Sequence, residues 1–118
     1  MVRQNRRRYV VFHVLQPDDV GKGLLIKLIR DMTRKLPQEE FDRIKPWFVY
    51  YKNKWCIVRT GHTGVERLIR MIESLDGLEL REGVLMLRVT GVSGTLRGAF
   101  HKHIPEKGRQ GLHYRAED

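Results

Sequence analysis

Apolar and polar residues recur along this chain with two different periods, and these periods predict where the strands and helices lie. Alternation of β-branched or aromatic residues is typical of strands, whereas apolar residues three or four positions apart are typical of helices. The first pattern predicts strands over residues 8–15, 46–52, 54–60 and 83–90. The second predicts long helices over residues 20–36 and 65–75, and shorter helices over residues 37–44 and 95–103.

The order of the long elements is β-α-β-β-α-β, followed by a short helix. This order is typical of the α+β, ferredoxin-like sandwich that RNA-recognition modules adopt, with helices on one sheet face and the other face free. Residues 1–104 are expected to form this single domain, and the polar residues 105–118 a flexible C-terminal tail. Many proteins with this order bind no RNA, so the fold alone does not give the function.

The free face of the sheet can be assigned from the alternation along the strands. The residues expected on it are Tyr9, Val11, His13, Trp55, Ile57, Arg59, Met86, Arg88 and Thr90. Aromatic rings stack on bases and arginines pair with phosphates, so single-stranded RNA is one candidate ligand for this face. The alternative is that a partner protein or the C-terminal helix covers it. The aromatic signature usual on the third strand of RNA-recognition modules is absent.

Charge is the strongest feature of the composition. The 118 residues include 23 Lys and Arg against 14 Asp and Glu, which gives a net charge of +9 and a pI near 10.1. A domain this basic attracts polyanions, with nucleic acid as the usual partner, although a merely basic surface or a membrane-surface binder would share the composition. Residues 1–15 and residues 45–62 each carry four Lys or Arg and no acid, so one positive face is expected.

Catalytic and metal-binding patterns are weak. Cys56 is the single cysteine, which excludes a disulfide framework or a cysteine-based zinc site and fits a reducing, intracellular setting. No Ser-His-Asp or paired-carboxylate arrangement is suggested, so we expect no catalytic residue and no metal ligand. No apolar run approaches the roughly 20 residues of a membrane span, and the charged start does not resemble a secretory leader. The five histidines, which lack ligand spacing, are His13, His62, His101, His103 and His113.

The segment from Gly91 to Arg97 follows a predicted strand and opens a predicted helix. Backbone amides at such a helix start favour phosphate, and Ser93, Thr95 and Arg97 could add contacts. The same residues equally fit an ordinary tight turn with a Ser or Thr cap. The segment lacks the glycine-rich pattern of a Walker loop.

The strings RRRYVVFHV, KPWFVYY, CIVRT and LRVTGVSGTLR together resemble the Pop-five family of archaeal and eukaryotic ribonuclease P protein subunits. The resemblance covers roughly residues 6–103, and its most specific pieces are GVSGTLR and CIVRT. The absence of a long acidic tail looks more archaeal than eukaryotic.

The resemblance implies an accessory subunit of ribonuclease P, the ribonucleoprotein endonuclease that removes the 5′ leader from precursor tRNA. Such a subunit would bind and activate the catalytic RNA, pair with a TIM-barrel-like protein subunit and meet precursor tRNA indirectly. It would bind no cofactor itself, while the RNA would use Mg²⁺. A cytoplasmic location is expected, with no membrane partner, and a homodimer within a heterotetramer is left open. The chain itself would neutralise phosphates and fix the geometry of the RNA.

Carried over by position, the resemblance places RNA contacts in the basic start, in the corner that ends the third strand and in the glycine-containing turn. The candidates, together with one lysine of the hairpin, are Arg6, Arg7, Arg8, Lys54, Arg59, His62, Ser93, Gly94, Thr95 and Arg97. Histidine is only partly charged at neutral pH, so His62 departs from the basic or polar residue expected there.

Two other functions fit the same pattern of elements. A stand-alone single-stranded RNA-binding module would bind short oligonucleotides without a partner. A small ferredoxin-like enzyme such as an acylphosphatase would need Arg and Asn around a phosphate, and Asn5 and Asn53 are poorly placed for that.

Overall fold

The computed structural model describes residues 6–105. The four long strands are β1 (Arg7–Gln16), β2 (Trp47–Lys52), β3 (Trp55–Gly61) and β6 (Met86–Ser93), and a short hairpin is formed by β4 (Glu79–Leu80) and β5 (Gly83–Val84). The helices are α1 (Lys22–Arg34), α2 (Gln38–Ile44), α3 (Val65–Glu73) and α4 (Leu96–His103). None of these helices has the length and hydropathy that crossing a bilayer requires. The predicted tail lies outside the described residues except for Pro105.

The long strands form one sheet in the order β2-β3-β1-β6, and every neighbouring pair is antiparallel. This order confirms the predicted ferredoxin-like α+β fold. The hairpin between β2 and β3 is also confirmed, because Asn53 and Lys54 both adopt left-handed backbone conformations that suit a tight two-residue turn.

The strand predicted over residues 83–90 is two elements. Gly83 has a φ of +138°, a conformation that glycine adopts without strain, and its short strand pairs with β4 rather than with β1. The backbone N–H of Leu85 then donates to the carbonyl oxygen of Leu78, and β6 begins one residue later. Because strands of two residues have no readable period, the sequence pattern merged them with β6.

One face of the sheet packs against α1 and α3 to form the main core. Alternate residues of β1 and β3 point to this side, as predicted, and the most buried residues of the helices cover them. The buried set includes Val10, Phe12, Val14, Leu25, Ile29, Cys56, Val58, Leu68 and Ile72. Burial raises the pKa of the Cys56 thiol well above its ordinary value, so this cysteine packs as a small apolar group.

The opposite face of the sheet is covered by α4. Val11 and Ile57 have no exposed surface and Trp55 is only 6% exposed, because Phe100 and the other apolar residues of α4 pack on them. The alternation assigned these side chains to the correct face, but the open platform for single-stranded RNA is wrong in this structure. The covering alternative, with the C-terminal helix as the cover, is confirmed.

Contacts at the end of α4 hold this helix on the sheet. β6 carries an extra residue at Thr90, and the Thr90 hydroxyl donates to the carbonyl oxygen of His103 over 2.9 Å. The ring of His103 packs closely against Gly91, where a Cβ atom would come within 2.1 Å of His103 Nδ1. His103 Nε2 is also 3.1 Å from the carbonyl oxygen of Val92. With His103 in this position, residue 91 has room for glycine and not for a residue with a Cβ atom.

His13 stacks on Trp55 at the other end of this covered face. The two ring centroids are 4.0 Å apart and the planes differ by 6°. Partial burial lowers the pKa of His13, and the nearby Lys54 ammonium lowers it further.

We expect the His13 imidazole to make the stability of the protein depend on pH. Between the lowered folded pKa and the ordinary value of about 6.5, the unfolded chain binds the proton more readily than the folded chain. The free energy of unfolding should therefore have its largest value above about pH 6.5. It should fall as the pH drops from there to the folded pKa of His13. Urea unfolding of the wild type and His13→Phe at about pH 5 and about pH 7.5 measures this, with a smaller fall in the variant. An equal fall in both proteins would assign the dependence to another group.

Candidate functional site

Three segments that the sequence analysis singled out meet at one end of the sheet. Because β1 is antiparallel to both neighbours, its first residues lie beside the last residues of β3 and β6. Arg7 pairs with Gly61, and Tyr9 pairs with Arg59 on one side and with Ser93 on the other. The basic start, the β3 corner and the glycine-containing turn are therefore neighbours in space.

A cavity of about 430 Å³ lies at this end of the sheet, and we call it the basic pocket. Its lining carries five arginine or lysine side chains against one carboxylate. The lining residues are Arg6, Arg7, Asp42, Arg43, Lys45, Arg59, Thr60, Gly61, His62 and Thr63. The pocket thus gathers four of the predicted contact residues, Arg6, Arg7, Arg59 and His62, in one place.

The backbone around the basic pocket is held by close packing of the β3 corner on the end of α2. The Thr60 hydroxyl donates to the carbonyl oxygen of Ile44 over 2.5 Å. Gly61 and Gly64 both press on Arg43, since a Cβ atom at either glycine would lie 2.5 or 2.6 Å from the Arg43 carbonyl oxygen. The His62 N–H donates to the carbonyl oxygen of Arg6 over 3.0 Å. The pocket walls are therefore set by contacts to main-chain atoms of α2 and of the start of β1.

Most cations of the basic pocket lack a compensating carboxylate. Within residues 6–105, Arg6, Arg7, Lys45 and Arg59 form no ion pair, whereas Arg43 lies 3.9 Å from Glu39 in an exposed pair. An exposed pair of this kind contributes at most about 1 kcal/mol. Like charges brought together without counter-charges destabilise a fold, so the cluster is better explained by an anionic ligand than by stability.

The glycine-containing turn forms a second group beside the basic pocket, which we call the turn cluster and define as Arg8, Ser93, Gly94, Thr95 and Arg97. The Ser93 oxygen accepts the Thr95 N–H over 3.3 Å, and the Thr95 oxygen accepts the Gly98 N–H over 2.9 Å. The Thr95 hydroxyl therefore caps α4 and the Ser93 hydroxyl holds the turn before it, which confirms the ordinary turn-and-cap interpretation. Phosphate binding by the same residues stays a prediction.

The turn cluster is close enough to the basic pocket for one extended ligand to reach both. Arg8 places a guanidinium nitrogen 4.0 Å from the Cβ position of Gly94. Ser93 and Arg59 lie on opposite sides of Tyr9, so they are two strand spacings, or about 10 Å, apart.

Lys54 does not join either group. It lies in the turn before β3, at the opposite end of that strand, about 20 Å from the corner at a strand rise near 3.3 Å per residue. Its ammonium group is 2.5 Å from a carboxylate oxygen of Asp18. The hydrogen bond from Lys54, together with its charge, lowers the pKa of Asp18. The structure thus separates Lys54 from the other predicted contacts.

Arg43 and Lys45 line the basic pocket, although the sequence analysis did not select them. Arg43 is the one basic residue of a helix with three acids, where charged residues are typical of a solvated face. Lys45 ends α2 in a left-handed conformation, with its N–H donating to the carbonyl oxygen of Phe41. Its place in the acid-free basic segment of residues 45–62 was the signal that could have found it.

The described histidines do not assemble into a metal site. Across residues 6–105, no group of three or more His, Cys, Asp or Glu side chains is placed to hold a metal ion. His113 lies outside the described residues.

Comparisons with known proteins give one family and one shared fold. The model of the Rpp14/Pop5 family matches residues 8–104. No curated protein sequence matches the chain. A chain in a cryo-EM structure of yeast ribonuclease MRP is similar in structure, with a TM-score of 0.62 at 11% identity, over 82% of this chain and 80% of that chain. At this identity the likeness to the yeast chain establishes the fold.

We expect Gly64→Ala to destabilise the protein, because its new methyl group would meet main-chain atoms of Arg43 that cannot move aside. Overpacking of this kind costs about 1–3 kcal/mol. Gly23→Ala in α1 is the matched control, since nothing lies within 4 Å of its Cβ position. It should stabilise the protein by about 0.4–1 kcal/mol. Urea unfolding of both variants tests this, and unchanged stability of Gly64→Ala would contradict the close packing described above.

Proposed function

We propose, since the chain belongs to the Rpp14/Pop5 family, that it is an accessory protein subunit of ribonuclease P, the ribonucleoprotein that removes the 5′ leader from precursor tRNA. In this proposal the basic pocket and the turn cluster bind the catalytic RNA. The observation that carries the proposal is the gathering of five cationic side chains, most of them without an ion-pair partner among the described residues, on one rigid corner of the sheet.

The chemistry of the basic pocket suits a phosphate backbone. Guanidinium groups donate several hydrogen bonds in a plane and match phosphate oxygens well. Each phosphate neutralised by a cation also releases counterions, which contributes much of the affinity for RNA at low salt. Because main-chain contacts already hold the pocket walls, binding would order few additional residues.

In the proposed role this chain supplies fixed positive charge and no reacting group. Neutralising phosphates where RNA strands approach each other lowers the repulsion that metal ions otherwise screen. The RNA could then hold its Mg²⁺ ions and its substrate at a lower Mg²⁺ concentration. In this scheme Mg²⁺ belongs to the RNA, and the chain binds no cofactor.

We also propose that the protein partner, a TIM-barrel-like subunit, contacts the end of the sheet opposite the basic pocket. Four of the five exposed large apolar side chains lie there, namely Leu15, Leu78, Val84 and Met86. They are neighbours, because Gln16 pairs with Met86 and its side-chain amide donates to the carbonyl oxygen of Val84. An apolar patch suits a protein surface better than a phosphate backbone. We further propose that the particle is of the archaeal type and that it lies in the cytoplasm.

The alternative of a stand-alone single-stranded RNA module has less support. Such modules stack bases on an open sheet face, and α4 covers that face here, leaving Val11 and Ile57 without exposed surface.

We expect Arg59→Ala to reduce the salt dependence of RNA binding. Loss of one phosphate contact should lower the slope of log affinity against log salt by about 0.7–0.9, depending on whether the contacted RNA is single- or double-stranded. Arg34→Ala is the matched control, because Arg34 is exposed on α1 beside Asp31. Filter binding of the ribonuclease P RNA across a salt series measures both slopes. An unchanged slope in Arg59→Ala would remove Arg59 from the RNA interface.

The same salt series tests whether Lys54 contacts the RNA. Because Lys54 is paired with Asp18 at the far end of β3, Lys54→Ala should behave like the control. A slope reduced as much as that of Arg59→Ala would return Lys54 to the RNA interface.

Reconstitution tests the proposed activity directly. Ribonuclease P RNA with the TIM-barrel-like subunit should cleave precursor tRNA faster at reduced Mg²⁺ when this chain is added, and less so with Arg59→Ala. Cleavage that is identical with and without the chain would contradict the proposal.

A further inference from the structure

Trp47 is the most exposed large apolar side chain among the described residues. It is the first residue of edge strand β2, and 62% of its surface is exposed. The other four exposed apolar residues lie at the opposite end of the sheet, whereas Trp47 pairs with Arg59 beside the basic pocket. A solvent-exposed indole next to a cluster of cations is typical of a binding surface rather than of a core.

An apolar cleft adjoins Trp47, between β2 and the helices α1 and α2. It has a volume of about 510 Å³, and Ile26, Phe41 and Phe48 are among its lining residues. The charged residues that line this apolar cleft are all cations, namely Lys22, Arg30 and Lys45. None of the three forms an ion pair within residues 6–105. The cleft thus combines an apolar floor with an unneutralised positive rim.

The apolar cleft and the basic pocket are continuous at Lys45, which lines both. The left-handed backbone of Lys45 turns the chain there, between the end of α2 and the start of β2. Arg59, in the basic pocket, lies directly across one strand spacing from Trp47, about 5 Å away in the backbone. A ligand whose negative charge lies in the basic pocket can therefore place an adjoining flat group against Trp47.

We propose that Trp47 and the apolar cleft bind an unpaired nucleobase of the RNA strand whose phosphates lie in the basic pocket. This inference rests on the proposed RNA-binding function and adds a stacking site to it. A nucleotide joins an aromatic base to an anionic phosphate. The apolar cleft offers an aromatic surface for the base, and the neighbouring basic pocket offers cations for the phosphate. An acidic peptide would match the rim, but it would not use the continuity with the basic pocket. Stacking on an indole is tolerant of base identity, so no sequence preference is expected.

The experiment compares two single strands that differ only in their bases. One is an RNA of mixed sequence of about ten nucleotides, and the other is an abasic strand with the same number of phosphates. Trp47→Ala should weaken binding of the base-bearing strand by about 5- to 150-fold and leave the abasic strand within about twofold. Trp47→Phe, which keeps an aromatic ring, should retain most of the affinity. Leu15→Ala, the matched exposed apolar residue at the other end, should change neither strand.

A direct optical readout accompanies the affinities. Trp55 is buried against His13 and α4, so the base-bearing strand should quench mainly the fluorescence of Trp47. That quenching should be absent in Trp47→Ala, whose unfolding temperature should stay close to that of the wild type because the side chain is mostly exposed.

The outcomes separate this inference from the function on which it rests. If Trp47→Ala weakens both strands equally, or neither, while Arg59→Ala weakens both, the stacking site is wrong and the RNA-binding function stands. A different result would be that Trp47→Ala changes the molecular mass of the protein in solution and weakens both strands equally. That result would assign the cleft to contact between copies of this chain and overturn the inference. If the wild type binds ribonuclease P RNA but neither strand, the stacking site is wrong and the RNA-binding function stands. If it binds neither the strands nor ribonuclease P RNA, the proposed function fails and the stacking site with it.

Discussion

The position of β1 between two antiparallel neighbours is the constraint on which the rest of the structure depends. Val10, Val11, Phe12 and Val14 have no exposed surface, because helices cover one face of the strand and α4 covers the other. A strand buried on both faces sits at the centre of its sheet and sets the register of the strands beside it. That register carries the arginines before the strand to the same end as the β3 corner and the α4 turn.

The packing of α4 changes what the ferredoxin-like scaffold can offer a ligand. The helix turns the second sheet face into a core that buries Phe100 and its neighbours. Burial of a large apolar side chain stabilises the fold by about 1.5–3 kcal/mol. Among the surfaces that stay open for recognition are the two ends of the sheet and the edge beside β2. These surfaces differ in character, since one end is cationic and the other is apolar. A chain built in this way is suited to contact two unlike partners at once.

Much of the fold could be predicted from the sequence, because long elements leave long patterns. The alternation in β1 and the spacing in α1 and α3 gave the correct elements and core faces, and the Asn53 turn gave the hairpin. The β4–β5 hairpin could not be predicted, since two-residue strands have no period. The docking of α4 stayed open, because the alternation along the strands fits a face covered by RNA, by a partner protein or by the C-terminal helix.

The candidate site was predicted in part, for reasons of topology. Arg7, Arg59 and Ser93 are far apart in sequence, and the strand order alone brings them together. Arg43 was missed because a charge on a short helix resembles an ordinary solvated face until the β3 corner packs on that helix. Lys54 was grouped with Arg59 because they share a strand, although the length of that strand separates them.

The contact between Gly91 and His103 bears on how this protein can change over evolution. A β-carbon at position 91 would occupy the space of the imidazole ring, so the two positions are sterically linked although they lie on different elements. Substitutions there should appear as compensated pairs, with a larger residue at 91 tolerated only beside a smaller one at 103. The C-terminal helix therefore limits which residues position 91 of the sheet can accept.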